Sequence, residues 1–127
     1  MGTRFVTTRE CPAHPKLKEW LLQLTETDTM TIQSSTDSMR RAVRTDYTQR
    51  ILEMEKGGAS LEEILSMKSG EKVSNAYYTG DYGNAVITAG QTVGLIHDIP
   101  TVKELIEGII SEAKLIVNRL YNIGTDS

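Results

Sequence analysis

Few residues in this chain have side chains that could do chemistry. Its one cysteine, Cys11, precedes a proline and has no partner at metal-ligand spacing, so it reads as an inert thiol rather than a nucleophile. Of its two histidines, His14 stands directly before Pro15 and reads as the residue leading into a helix. His97 reads as a group that complements a helix C-terminal dipole. No catalytic residue and no metal ligand is assigned from these. Arg40, Arg41, Arg44 and Arg50 form a basic run, either one face of a solvated helix or an anion site, with the solvated face the plainer reading. The stretch "AGQTVG" poses a sharper question, because Gly90 and Gly94 flank Gln91 in what reads as a helix-forming segment. Glycine inside a helix costs about 1 kcal/mol relative to alanine. A neighbouring backbone or a ligand must therefore want the close approach that a missing side chain allows.

The elements that would position such residues are mostly helices. Leu17, Trp20, Leu21 and Leu24 follow the i, i+3, i+4, i+7 spacing behind Pro15, whose fixed φ suits a first turn. Met39, Val43, Tyr47, Ile51 and Met54 recur at threes and fours, which predicts a helix from about Ser38 to Lys56, stopped by Gly57 and Gly58. Ser60 with Glu63, and Thr101 with Glu104, are capping-box pairs. The second opens the clearest helix, where Val102, Leu105, Ile106, Ile109, Ile110, Ala113, Ile116, Val117 and Leu120 make a stripe about half the circumference wide. So wide a stripe needs a broad surface to cover. Strand signals are confined to Arg4–Thr8 and Thr29–Gln33, short and β-branched. Residues 70–84, dense in Gly, Asn and Asp and holding three tyrosines, read as an ordered loop. Those tyrosines, Tyr77, Tyr78 and Tyr82, could line a channel, though covering a core is the plainer role.

Composition bounds the class. The 127 residues and 39% hydrophobic content suffice for one ordinary domain with an aliphatic core. A net charge of −3 and a pI near 5.4 argue against a nucleic-acid binder, which would need a basic face. No apolar run reaches the roughly 18 residues of a membrane span, and no signal-peptide pattern opens the chain. A single cysteine permits no internal disulfide, which fits a reducing compartment. The expectation is a soluble cytoplasmic protein with no nucleic-acid or membrane partner.

Two stretches carry a resemblance. "MGTRFVTTRECPAHP" resembles the eighth barrel strand and following segment of the nitronate monooxygenase family, once called 2-nitropropane dioxygenases, which includes flavin-dependent enoyl-acyl-carrier-protein reductases and NADH:quinone reductases. "GDYGNAVITAGQTVGLIHDIPTVKELIEGIISEA" is similar to the end of the same proteins, with "TETDT" and "EMEKGGAS" as weaker agreements. The resemblance implies an α/β TIM-barrel family, an FMN-dependent oxidoreductase and a small-molecule substrate. It implies that this chain is the C-terminal, mostly α-helical portion, with one or two short strands. Residues 1–24 would be the last barrel strand and following helix, 25–90 a small helical second domain, and 91–127 the return segment and final barrel helix.

The same resemblance implies site residues. Gly2 and Thr3 match half of the cradle that holds the FMN phosphate through backbone amides, as such barrels do at the ends of their last strands. Ala89, Gly90 and Gln91 match the segment that nears the flavin from the second domain, with Gly90 permitting close approach and Gln91 offering an amide. The family's flavin-stacking residues, nicotinamide contacts and candidate catalytic histidine lie on earlier barrel strands, which implies a fragment or truncated frame. The activity implied is oxidation of alkyl nitronates with FMN and O2. The alternatives are an enoyl-ACP or NAD(P)H:quinone reductase, or a free-standing helical association module without activity. The exposed stripe of the last helix implies a homo-oligomer or association with the missing barrel half.

Overall fold

The computed structural model describes residues 1–32 and 39–125. Six α-helices make up most of it: α1 (Gly2–Val6), α2 (Pro15–Leu22), α3 (Asp46–Lys56), α4 (Leu61–Met67), α5 (Gly70–Thr79) and α6 (Val102–Thr125). A two-stranded antiparallel ribbon, β1 (Thr29–Ile32) with β2 (Arg40–Val43), pairs Thr29 with Val43 and Ile32 with Arg40. The segment after α5 runs along the other edge of β2, where Ala42 bridges Thr88 and Val43 N–H donates to the Ile87 carbonyl at 2.8 Å. Short 3₁₀ turns cover Glu26–Asp28 and Gln91–Leu95.

The ribbon is flanked by two apolar clusters. Leu17 and Leu21 of α2 pack with Val43, Ala76, Ile87 and Val93, and Trp20 stacks on Tyr82 with ring centroids 3.9 Å apart. Beyond the ribbon, Ile32, Ala42, Ile51 and Ile64 tie it to α3 and α4. Both capping boxes form. Ser60 N–H donates to Glu63 Oε2 at 2.9 Å while Glu63 N–H donates back to Ser60 Oγ, and Thr101 and Glu104 do the same ahead of α6. His14 leads into α2 as expected, its Nδ1 accepting from Lys16 N–H at 3.2 Å.

Four expectations are corrected. The strand expected over Arg4–Thr8 is helical through Val6. The Thr7 and Thr8 hydroxyls donate to the Arg4 and Phe5 carbonyls, closing the helix end rather than leaving backbone for a ladder. The helix expected from about Ser38 begins only at Asp46, because Arg40–Val43 pairs with β1 and Thr45 caps the new helix by a reciprocal bond with Thr48. A spacing of four places Met39 and Val43 on one face in either geometry, so periodicity could not separate them. Residues 70–79 form α5 rather than a loop, capped by Ser69 and ended by Gly80 at φ +77°. Residues 91–95 are a 3₁₀ turn rather than a helix interior, with Gly90 as its extended N-cap. Gln33, the end of one expected strand, and Ser38, the start of the expected helix, lie outside the described residues.

Candidate functional site

The five residues expected at a site fall in two segments that the fold brings together. Thr3, in the first turn of α1, accepts at Oγ1 from Gly90 N–H at 3.1 Å. This bond spans most of the chain and joins the start of α1 to the segment that leaves β2. Gly2 is exposed, and a side chain there would meet no atom within 4 Å. No side chain caps α1. Arg4 N–H donates to the Met1 carbonyl at 3.0 Å, which leaves the amides of Gly2 and Thr3 as the ones that a helix start can offer an anion.

On the other side, Ala89 is buried and its N–H donates to the Arg41 carbonyl at 3.3 Å, which fixes the segment on β2. Gln91 opens the 3₁₀ turn and is exposed. Gly90 has space. A Cβ there would touch only Thr92 Oγ1 at 3.5 Å, an ordinary contact. Gly94 is the glycine that a neighbouring backbone demands, since a Cβ would lie 2.7 Å from Glu26 N and 3.3 Å from the Thr25 carbonyl carbon. The pair that looked alike in sequence thus divides: Gly94 admits the Thr25–Glu26 backbone, and Gly90 faces no helix among the described residues.

A set of ties that sequence reasoning missed holds α1 in place. Arg4 pairs with the Asp98 carboxylate and donates to the Asp98 carbonyl at 2.9 Å. Arg9 N–H donates to the Pro100 carbonyl at 2.9 Å, and both Glu10 carboxylate oxygens accept from Val102 N–H at 3.0 Å. Lys18 is buried, with Nζ donating to the carbonyls of Thr8 at 2.6 Å and Cys11 at 2.7 Å. Nothing in its sequence setting distinguishes Lys18 from a surface lysine, because its partners are main-chain atoms.

Reactive groups are sparse. His97 is exposed two residues beyond the 3₁₀ turn, His14 serves as a cap, and Cys11 is half-buried. Burial raises the Tyr77 phenol above its usual range, with the Cys11 thiol adding to the shift. Tyr77 and Tyr82 pack against the core, whereas Tyr78 is exposed. Among the described residues no group of three His, Cys, Asp or Glu side chains could hold a metal, and no helix is long and apolar enough to cross a membrane. The arrangement sets the main-chain amides at the start of α1 beside the 89–91 segment.

The sequence profile described as nitronate monooxygenase matches residues 1–112. This chain belongs to the nitronate monooxygenase family. Among solved structures it is similar to FabK from Thermotoga maritima, at 33% identity and a TM-score of 0.86 over 96% of this chain. A point mutant of FabK from the same organism matches over 96% of the chain with 30% identity and a TM-score of 0.72. The chain spans 38% and 35% of the length of those two chains. The match covers a mostly helical, strand-poor stretch of those longer chains.

Proposed function

We propose that this chain supplies the phosphate-holding end of an FMN site, and that the complete enzyme oxidises alkyl nitronates with FMN and O2. The observation that carries the reading is the Gly90 N–H to Thr3 Oγ1 bond, which sets the uncapped start of α1 beside the 89–91 segment. The residues suit a phosphate. The amides of Gly2 and Thr3 are donors at the positive end of a helix, Gly2 lets oxygens approach the backbone, and the first turn of α1 carries no acidic residue. Thr3 positions Gly90, Ala89 anchors that strand edge, and Gln91 offers an exposed amide beside it. When bound, FMN supplies the electron transfer; the protein supplies binding, orientation and exclusion of water. The complete enzyme needs residues outside this chain to bury the ring and to move the substrate proton. A second reading, an enoyl-ACP or NAD(P)H:quinone reductase of the same family, is favoured by the fit to FabK.

Joining this chain behind the part of Thermotoga FabK that it does not cover tests both readings. The expected product is a yellow protein that takes up oxygen when given an alkyl nitronate. NAD(P)H oxidation dependent on an enoyl thioester or quinone, without nitronate turnover, establishes the second reading instead. A folded chimera that excludes FMN rejects the site. The 127-residue chain alone, with few amide contacts and no wall for the ring, is expected to bind FMN weakly. Micromolar or tighter binding to a monomer of it overturns that expectation.

A further inference from the structure

Lys18 is a charged group that the flavin reading leaves unused. It is 6% exposed, on the buried face of α2, and its ammonium donates to two main-chain carbonyls, Thr8 at 2.6 Å and Cys11 at 2.7 Å. Among the described residues it joins no ion pair. A buried ammonium without a carboxylate is a poor way to hold a fold together, because its desolvation offsets most of what the two bonds contribute. What it does fix is where those carbonyls sit.

Thr8 is the joint through which that position reaches α1. The residue is buried, and its N–H at 3.3 Å and hydroxyl at 2.7 Å both donate to the Phe5 carbonyl, while its own carbonyl accepts from Lys18. Phe5 lies two residues from Thr3, and the whole helix has five residues, about 7.5 Å at 1.5 Å per residue. A helix that short transmits a tilt from one end to the other. Its start is tied by the Gly90 N–H to Thr3 Oγ1 bond at 3.1 Å, and its flank by Arg4 to Asp98, whose side chain is 68% exposed and screened by water. Lys18 is the buried tie, set at the opposite end from the Gly2 and Thr3 amides.

We infer that Lys18 is a positioning residue for the cofactor phosphate. By holding Thr8 from behind, it aims the Gly2 and Thr3 amides, so the preference of the site for FMN over riboflavin, which lacks the phosphate, depends on it. The inference rests on the reading that the start of α1 receives this phosphate. Aim matters because a hydrogen bond weakens steeply as its donor turns away, and bonds to a charged phosphate have the most to lose.

Flavin titrations of the FabK chimera and amide spectra of the 127-residue chain test it together. The wild-type chimera is expected to prefer FMN. Lys18→Met should cut the FMN-to-riboflavin affinity ratio roughly 10-fold, the loss of one charge-assisted hydrogen bond, with riboflavin affinity nearly kept. In the chain alone the Gly90 amide resonance should move in Lys18→Met, because its acceptor Thr3 moves with α1. Ile51→Val, a buried change on the far side of the ribbon, should leave both readings where they were, since lost stability alone lowers both flavins in step. If Lys18→Met does not fold, Lys18→Gln, which keeps one donor, should give a smaller fall in the ratio. A ratio that the folded variant leaves unchanged overturns the inference while α1 stays the phosphate site. A lowered ratio with an unmoved Gly90 amide overturns the route through α1. A wild-type chimera that binds FMN no better than riboflavin rejects the phosphate reading itself, and the inference with it.

Discussion

Helices α2 and α6 carry the same kind of apolar stripe, yet α2 buries its leucines against the ribbon and α5, whereas α6 leaves nearly all of its stripe open past Leu105. Pattern alone does not bury a residue. Burial requires a complementary surface, and the body supplies one for Leu17 and Leu21 while reaching α6 only at its first turns. The same division appears at Gly94 and Gly90, one pressed against the Thr25–Glu26 backbone and one with only Thr92 at ordinary contact distance. The described chain is thus closed around the ribbon and open along α6 and at the start of α1.

The largest effect expected from this division is on the core side. Leu17→Ala removes a fully buried side chain and should lower stability by about 2–5 kcal/mol in urea melts. Leu120→Ala, measured where the chain is monomeric, should stay within about 0.5 kcal/mol of wild type. Equal losses would mean that α6 finds its cover within its own chain, and the contrast would be lost.

The two glycines sharpen the comparison next. Gly94→Ala forces a methyl onto Glu26 N and should cost about 1–3 kcal/mol by overpacking. Gly90→Ala, with only Thr92 Oγ1 near, should leave the melting temperature of the chain almost unchanged. In the FabK chimera the same Gly90 change should weaken FMN binding if the flavin is what this open edge receives. An unaltered FMN affinity there would remove Gly90 from the site.

What the sequence made legible follows from which partners are local. The boxes at Ser60–Glu63 and Thr101–Glu104 and the helix behind Pro15 were readable because cap and amide lie within one turn. Arg4–Thr8 misled because β-branched residues suit a strand only when a neighbour can pair, and here the Thr7 and Thr8 hydroxyls bond backward instead. Residues 70–79 misled because Gly70 and Asn75 hid a helix whose cap, Ser69, lay just outside the stretch being weighed. At the candidate site, residue types came from a resemblance, while the bond that brings Thr3 to Gly90 links positions far apart in the chain. No periodicity could announce it.

Lys18 probes the tie that holds α1 to the closed part. Its ammonium donates to the carbonyls of Thr8 and Cys11, so Lys18→Met, similar in length, removes the donor from one buried and one partly buried acceptor. A loss of about 1–3 kcal/mol is expected. Faster amide exchange should concentrate in residues 8–11. A uniform change across the chain would show that the lysine acts through its hydrocarbon stem rather than as a staple.

The smallest effect separates the caps of the open and closed parts by pH. Backbone amides hold three carboxylates below their usual range: Thr25 for Asp28, Ser60 for Glu63 and Thr101 for Glu104, with the hydroxyl of the same residue adding to each. A carboxylate whose folded-state pKa is depressed binds its proton more readily in the unfolded chain. Its stabilising share is therefore fully present above the ordinary glutamate value of 4.5 and is lost as pH falls through the lower folded value. All three groups are solvent-exposed, so global stability should respond little. The local response should differ between regions. The start of α6 has a second carboxylate, Glu10, on Val102 N–H, whereas among the described residues α4 relies on Glu63 alone to accept from its N-cap amide. Amide exchange at Ser60 should accelerate on acidification below pH 4.5, and Glu63→Gln, which can keep the cap bond without titrating, should flatten that dependence. An exchange profile at Ser60 that stays pH-dependent in Glu63→Gln, after correction for the intrinsic rate, would assign the fraying to another group.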